Sequence, residues 1–372
     1  MLSVILFGKN KYLGFDMIPA EFYKYIYLIL ITIFTLLIVK QRNDLNFCEG
    51  MGKSIWLCVF LIVFIGFRPH SPVFGDTANY ASWWGFSSWN GWNWDTENKI
   101  FDNIYGFMGS IFPDATPFFV LIAAIYFIAI LIACRKLFPS NTFIVYLVYL
   151  AAFSTFSYAT NGIKAGVAAA LFLVVLAYRD KIFISLLFLF LSWGFHHSMV
   201  LPVAAYVVTF FFKKKEWYFY GWFFCLLMAA GHISFFQQLF AGLSDESGAG
   251  YLTNNTTAEV LRAKVGFRID FIIYSFMPVL MGYYVKYKYK MKDDFYDMML
   301  NIYLTTNGIW MLCMYAEFTN RIAYLSWFMY PIVLIYPCYA IKDKLHPLVL
   351  NRQKIVLCHL AFTLFMDLVY YA

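Results

Sequence analysis

TPFFVLIAAIYFIAILIAC, residues 116–134, runs without a single charge into Arg135-Lys136. A helix needs about 20 apolar residues to cross the hydrocarbon core of a bilayer. This stretch has that length and is apolar on every face, so it lacks the one-sided stripe of a helix packed on a soluble core. The two cations at its end mark the side held in the cytoplasm, because loops rich in Lys and Arg stay on that side.

Working outward, the same length rule finds further apolar segments near residues 21–39, 54–67, 142–158, 163–178, 182–195, 198–212, 217–231, 269–285, 296–314, 322–341 and 355–371. The segments at 54–67 and around 182–212 are short for a straight crossing and read as tilted, half-embedded or re-entrant. Of the 372 residues, 62% are hydrophobic and 13% charged, against about 25% charged in a soluble domain. The sequence therefore predicts an all-α polytopic integral membrane protein of about 12 transmembrane helices, with residues 1–372 forming a single transmembrane domain. Met17 opens the typical membrane-protein start MIPAEFYKYIYLIL, so the sixteen residues before it read as a short tail or as lying upstream of the true start. The seven cysteines show no CxxC spacing and read as small apolar packing residues. No metal or cofactor is expected.

Basic residues alternate between the two sides. KQRN (40–43), RK (135–136), RDK (179–181), KKKE (213–216), KYKYKMK (286–292), KDK (342–344) and NRQK (351–354) fall on one side and hold most of the 28 Lys and Arg. That side is assigned to the cytoplasm, and an even helix count puts both termini outside. The net charge of +7 is then a consequence of topology, and nucleic-acid binding is not expected. The opposite side consists of two long loops, 68–115 and 232–268, and short helix junctions. Outside the N-terminal stretch it carries only Arg68, Lys99, Lys164, Arg262, Lys264, Arg268 and Arg321. Arg68, Lys164, Arg268 and Arg321 abut helix ends, against the topological trend, so each requires a reason of its own.

The residues around these cations are candidates for chemistry. The first loop opens Phe67-Arg68-Pro69-His70, continues Gly75-Asp76-Thr77-Ala78-Asn79-Tyr80, and then carries Trp83, Trp84, Trp89, Trp92 and Trp94. That tryptophan run fits an interfacial aromatic belt and equally a sugar-stacking or headgroup platform. Lys164, in Asn161-Gly162-Ile163-Lys164, reads as a snorkelling anchor or as a point charge for a phosphate oxygen. His196 and His197 lie between two apolar segments, and histidine at membrane depth is seldom idle. Its titration range suits proton transfer near neutrality. Arg268 and Asp270 at the start of one helix could form a plain ion pair, whereas Arg321 has no local topological reason to be present. Guanidinium groups grip phosphate oxygens bidentately. Several cations without clustered carboxylates suit an anionic headgroup better than a divalent metal.

Asn161-Gly162-Ile163-Lys164 with Gly166, Ala168 and Ala170, followed by Phe195-His196-His197-Ser198 and Leu201-Pro202, resembles the core signature of the EpsG family, which comprises Wzy-type polymerases of O-antigens, capsules and exopolysaccharides. Arg68 with Gly75-Asp76-Thr77 and Tyr80 is similar to that family's first-loop motif. Gly266-Phe267-Arg268-Ile269-Asp270-Phe271 and Asn320-Arg321-Ile322-Ala323-Tyr324 resemble two later ones. The chain departs from the family where Lys164-Ala165 stands for Arg-Gln, keeping the cation and losing the amide, and where Ile269 stands for an aromatic. In the histidine motif, His196 aligns with the family histidine, and His197 holds a position commonly aromatic. The resemblance implies a GT-C-like glycosyltransferase in the bacterial inner membrane with its active site facing the periplasm. It would move a growing glycan from undecaprenyl pyrophosphate onto the sugar of another lipid-linked unit. On this expectation His196, Asp76 and Asp270 supply proton transfer, and Arg68, Lys164, Arg268, Arg321, Tyr80, Asn161 and His197 bind pyrophosphate and glycan. The expected partners are undecaprenyl-pyrophosphate-linked glycans, membrane lipids and a chain-length regulator protein. An O-antigen ligase differs only in its acceptor. A transporter or flippase of lipid-linked sugars would spread ionisable residues through the bundle instead of gathering them at one face.

Overall fold

The computed structural model describes residues 18–41, 47–86, 89–233, 235, 266–316 and 319–371. Most of the second long loop, and Glu317 and Phe318 before the Arg321 helix, lie outside the described residues. Among the described residues the chain is helical and contains no strand. Its helices are α1 (Phe22–Lys40), α2 (Phe47–Gly66), α3 (Asp76–Ser82), α4 (Lys99–Ile111), α5 (Thr116–Leu137), α6 (Thr142–Leu150), α7 (Thr155–Thr160), α8 (Ile163–Ala177), α9 (Ile182–Phe195), α10 (Val200–Phe211), α11 (Lys215–Ala230), α12 (Ile269–Tyr283), α13 (Asp294–Leu312), α14 (Thr319–Trp327), α15 (Tyr330–Ala340), α16 (Pro347–Leu350) and α17 (Arg352–Phe365).

Each apolar segment read from the sequence is helical, but not each is one crossing helix. Among the described residues, five stretches are long and apolar enough to cross a membrane: Phe22–Lys40, Cys48–Gly66, Thr116–Leu137, Thr319–Ala340 and Arg352–Tyr370. The segment expected to start at residue 54 begins seven positions earlier, at Phe47, and is therefore full length. The shorter apolar helices α8 and α9 have 15 and 14 residues. Helix α9 thus reaches only about 21 Å at 1.5 Å per residue.

Helix α8 lies at the centre, packed against α5, α7 and α9, and is buried from Gly166 to Ala177. Its small residues permit this. A Cβ on Gly166 would sit 2.6 Å from the Tyr158 carbonyl oxygen, so a larger residue would force α7 away. Helices α9, α10 and α11 turn large apolar side chains outward, Phe183 at 86% and Phe211 at 80% exposure among them. Such surface suits acyl chains and not water.

Polar side chains inside the bundle join helices to one another. The Asn307 amide donates to Ser275 Oγ and Ser326 Oγ, both at 3.0 Å, and its oxygen accepts from Trp222 Nε1 at 2.9 Å. Trp327 Nε1 also reaches Ser275 Oγ, at 2.8 Å. One asparagine therefore connects α11, α12, α13 and α14, as hydrogen bonds do where lipid offers no competing partner.

Two segments expected to be continuous helices are interrupted, the first by a two-residue turn at 328–329 inside the stretch Thr319–Ala340. In residues 322–341 the break follows Trp327, because Pro331 has no N–H for the Trp327 carbonyl and its ring crowds that oxygen. In residues 142–158 no proline or glycine marks the break between α6 and α7. Instead, three successive carbonyls at the end of α6 are each taken by a side chain. His359 Nε2 reaches Val148 O at 2.9 Å, Thr155 Oγ1 donates to Tyr149 O at 2.7 Å, and Tyr27 Oη donates to Leu150 O at 2.7 Å. Carbonyls left bare in an apolar interior would cost far more than in water. His359→Leu and Thr155→Val are each expected to lower stability by roughly 1–3 kcal/mol. Thermal unfolding in detergent checks this, and an unchanged midpoint in both variants would contradict it.

Contacts between helix ends sort the two faces. Lys136 pairs with Asp180 at 3.4 Å, Arg179 lies 3.9 Å over the Phe295 ring, and Phe138 packs against Tyr336 at 5.5 Å. These place the basic connections after α5, α8 and α15 at one end of the bundle. The sequence motifs meet at the other.

Candidate functional site

The motif-bearing end is assembled around the junction of α7 and α8. Arg68 follows α2 and is 2% exposed. Its Nη1 donates to Ile65 O at 2.8 Å, while Nε and Nη2 reach Thr77 Oγ1 at 3.2 and 2.7 Å. Thr77 Oγ1 in turn donates to Thr160 O at 2.6 Å. The guanidinium lies 4.6 Å from the Phe119 ring centre and 5.9 Å from that of Phe74. Burial pushes its pKa down to about 9, which still leaves it charged at neutral pH. The sequence expectation put Arg68 on a phosphate. The structure instead spends its donors on the protein, fixing the first loop to the end of α7.

Asn161 does the same work from α7. Its Oδ1 accepts the Asp76 N–H at 3.0 Å. Gly75 sits at φ 57° with a Cβ position 2.3 Å from that oxygen, so only glycine fits between Asn161 and the start of α3. Arg68→Ala should strip this joint of several hydrogen bonds at once, with a loss of about 3 kcal/mol or more. Arg68→Lys should not restore it, since an ammonium cannot reproduce the planar fork. Reduced yield and a lowered detergent melting point check the expectation.

With α3 held there, Asp76 faces Arg321 at the start of α14. Asp76 Oδ2 and Arg321 Nη2 are 3.5 Å apart, and the two side chains are 32% and 45% exposed. Lys164, in the first turn of α8, pairs with Asp102 of α4 at 3.1 Å, with the two side chains 24% and 28% exposed. The Lys164 ammonium also lies 4.9 Å from the Phe101 ring centre and 5.8 Å from that of Tyr80. Burial, then the charges of Asp76 and Asp102, hold the Tyr80 phenol well above its ordinary range. Tyr80 is therefore a hydrogen-bond donor there and not a base. These contacts join Asp76, Tyr80, Lys164, Asp102 and Arg321 into one solvent-reachable group of two cations, two carboxylates and a phenol.

The histidines follow the end of α9 on a short turn. His196 has extended backbone, φ −153° and ψ 116°, so the two side chains are not set apart as neighbours on a helix are. The two rings instead stack, with centres 5.2 Å apart and planes at 20°. His196 Nδ1 accepts the Ser198 N–H at 3.1 Å, so neutral His196 carries its proton on Nε2. His197 Nδ1 lies 3.5 Å from Glu97 Oε1 and 3.4 Å from Asn98 Oδ1. Two acceptors at Nδ1 place the His197 proton there and make Nε2 its basic nitrogen. The Asn98 side chain, 3% exposed, also accepts the His197 backbone N–H at 3.2 Å.

Arg268 and Asp270 form a second, more enclosed group at the start of α12. Arg268 Nε and Nη2 reach the two Asp270 oxygens at 3.0 and 2.6 Å, a bidentate pair. Tyr371 hydrogen-bonds both partners and stacks on Phe153 at 5.9 Å. The Arg268 guanidinium lies over Phe271 at 3.6 Å.

Four residues were not singled out by sequence reasoning: Glu97, Asn98, Asp102 and Tyr371. The first loop's acids look scattered along the chain. The available signal was that Asp102 lies in a helical stretch, one face of which must meet the cation-bearing junction. Nothing local marks Tyr371 as a partner of Arg268.

No curated protein and no solved structure matches this chain. The model of the EpsG family matches residues 53–372, a span that contains every residue of both groups described above. The chain belongs to the EpsG family.

Proposed function

We propose that this protein polymerises undecaprenyl-pyrophosphate-linked repeat units at the periplasmic face of a bacterial inner membrane, forming an O-antigen, capsule or exopolysaccharide. The EpsG family is a polysaccharide-polymerase type of family, which supports the class of reaction. One observation favours the lipid-pyrophosphate donor above others: Arg321 and Lys164, both solvent-reachable, stand in one group with Asp76, Asp102 and Tyr80 at the histidine-bearing end. The sequence expects cations without clustered carboxylates, whereas here each cation is paired with one, so an arriving pyrophosphate takes the place of Asp76 on Arg321 and of Asp102 on Lys164.

In the proposed step, an acceptor hydroxyl oxygen bonds to the anomeric carbon of the donor glycan, and the bond from that carbon to the pyrophosphate oxygen breaks. His197 Nε2 takes the hydroxyl proton, with Glu97 stabilising the imidazolium. The geometry favours His197 over His196 for this role. His196 is proposed as an N–H donor to the leaving group, with Arg321 and Lys164 stabilising its developing charge. Arg68 and Asn161 act as positioning residues, because they fix Asp76 and Tyr80. Arg268 with Asp270 and Tyr371 is proposed to contact the glycan or phosphate from the α12 side. The route uses side chains alone, and a chain-length regulator is a proposed partner.

A strain lacking this chain, complemented with the wild-type gene, tests the reading. Single lipid-linked units should accumulate in the deletion strain and longer glycans return on complementation. Unchanged long polymer in the deletion strain would overturn the proposal. A cysteine placed at Lys214 should resist membrane-impermeant reagents in intact cells; its labelling would reverse the assigned orientation.

A further inference from the structure

Four of the five tryptophans of the first loop divide into two sets, and Trp83, 72% exposed, belongs to neither. Trp84 donates from Nε1 to Phe112 O at 3.0 Å and packs on Tyr105. Trp89 packs on Phe107 at 5.7 Å. These two hold the loop to α4 and α5. Trp92 and Trp94 do not serve that purpose: they are 46% and 58% exposed, with ring centres 5.6 Å apart.

Their exposure is not looseness. Asn93, between them, is bound at both backbone groups by one buried side chain. Asn103, 2% exposed, accepts the Asn93 N–H at Oδ1, 2.8 Å, and donates from Nδ2 to Asn93 O at 2.7 Å. The Asn93 side chain accepts the Asp95 N–H at 2.8 Å, and Thr96 Oγ1 reaches Asn93 O at 3.3 Å. Two large flat rings thus project from a backbone fixed to α4. The same loop runs on directly to Glu97 and Asn98, which hold His197, and α4 carries Asp102, which holds Lys164.

The surroundings say what such a surface fits. The residues that follow are Asp95, Thr96 and Glu97, and the Lys99 ammonium turns back to Thr96 O at 2.5 Å. Carboxylate and amide groups beside two aromatic rings inclined at 53° match sugar hydroxyls better than a phosphate-bearing bilayer surface. We propose that Trp92 and Trp94 form a glycan subsite. A sugar ring of the repeat unit lies on their faces, and its hydroxyls meet Asp95, Thr96 and the Asn93 amide. Resting on the polymerase reading, this assigns the loop to the sugar part of the substrate, away from the pyrophosphate. A pre-fixed aromatic surface stacks a sugar with little ordering cost.

The test uses the full chain in lipid nanodiscs and, as probe, repeat-unit oligosaccharide cut from the producing cell's own polysaccharide, free of lipid. Saturation-transfer NMR should show binding to wild type and to Arg321→Ala. Trp92→Ala/Trp94→Ala should bind about 10- to 100-fold more weakly, with shorter polymer in cells. The exposed positions leave the core intact, and Trp92→Phe/Trp94→Phe should retain part of the binding. Equal binding by wild type and the alanine pair, or no binding by wild type, overturns the subsite. So does quenching of wild-type, but not double-variant, fluorescence by brominated lipids, which would make these rings membrane anchors. Failure of the polymerase reading shows separately, as long polymer persisting in the deletion strain.

Discussion

Arg321→Ala is expected to lower polymer synthesis by about 100- to 1,000-fold at unchanged yield and melting temperature. The reason lies in where this guanidinium sits. Its side chain is 45% exposed, and its contact with Asp76 is long, 3.5 Å, so removing it disturbs little packing. A pair of this kind contributes at most about 1 kcal/mol to stability. In the proposed step it stands with Lys164 to meet charge that develops on a departing pyrophosphate. Arg321→Lys should recover only a small part of the activity, because one ammonium cannot bridge two phosphate oxygens. Lipid-linked glycans resolved on gels, normalised to protein, measure the effect. Wild-type ladders from Arg321→Ala at normal expression would remove this residue from the site. The contrast with Arg68 sharpens the expectation: both are arginines of one motif-bearing end, but one should fail in activity and the other in folding.

His197→Ala should cost about 100- to 10,000-fold in rate, the range typical of losing a positioned base. His196→Ala should cost less, because its Nδ1 is engaged with the Ser198 N–H and its Nε2 donates. Glu97→Gln should produce an intermediate loss by weakening the hold on His197 Nδ1, 3.5 Å away. Single-turnover rates of the three variants separate these roles. Equal activity of wild type and His197→Ala would move the base to another group, with Asp76 the nearest alternative in the cluster.

The sequence motifs indicated which junctions matter, because a cation at a helix end opposite the basic loops contradicts a simple topological rule. Arg321 and Lys164 were legible in that way. The role of Arg68 was not, since its partners Thr77 and Thr160 become neighbours only when the first loop folds onto α7. Asp102 was one acid among several in that loop, and only the register of α4 singles it out for Lys164. The preference for His196 rests on resemblance alone, and the sequence by itself does not choose between the two histidines. The proposal of His197 as base rests on the contacts at the two Nδ1 atoms, which only the folded turn brings about. The break after Trp327 is signalled by Pro331. The break between α6 and α7 has no local signal, because it is stabilised by His359, Thr155 and Tyr27 from three different parts of the chain.

The most direct measurement is reconstitution. The purified chain in nanodiscs would be given undecaprenyl-pyrophosphate-linked repeat units from its own cell and no other protein. The account predicts a ladder of lengthening lipid-linked glycans, one undecaprenyl pyrophosphate released per linkage formed, and no ladder from Arg321→Ala. Wild-type protein that forms no linkage between units, but transfers them to a lipid A core acceptor or only carries them across the bilayer, would contradict it.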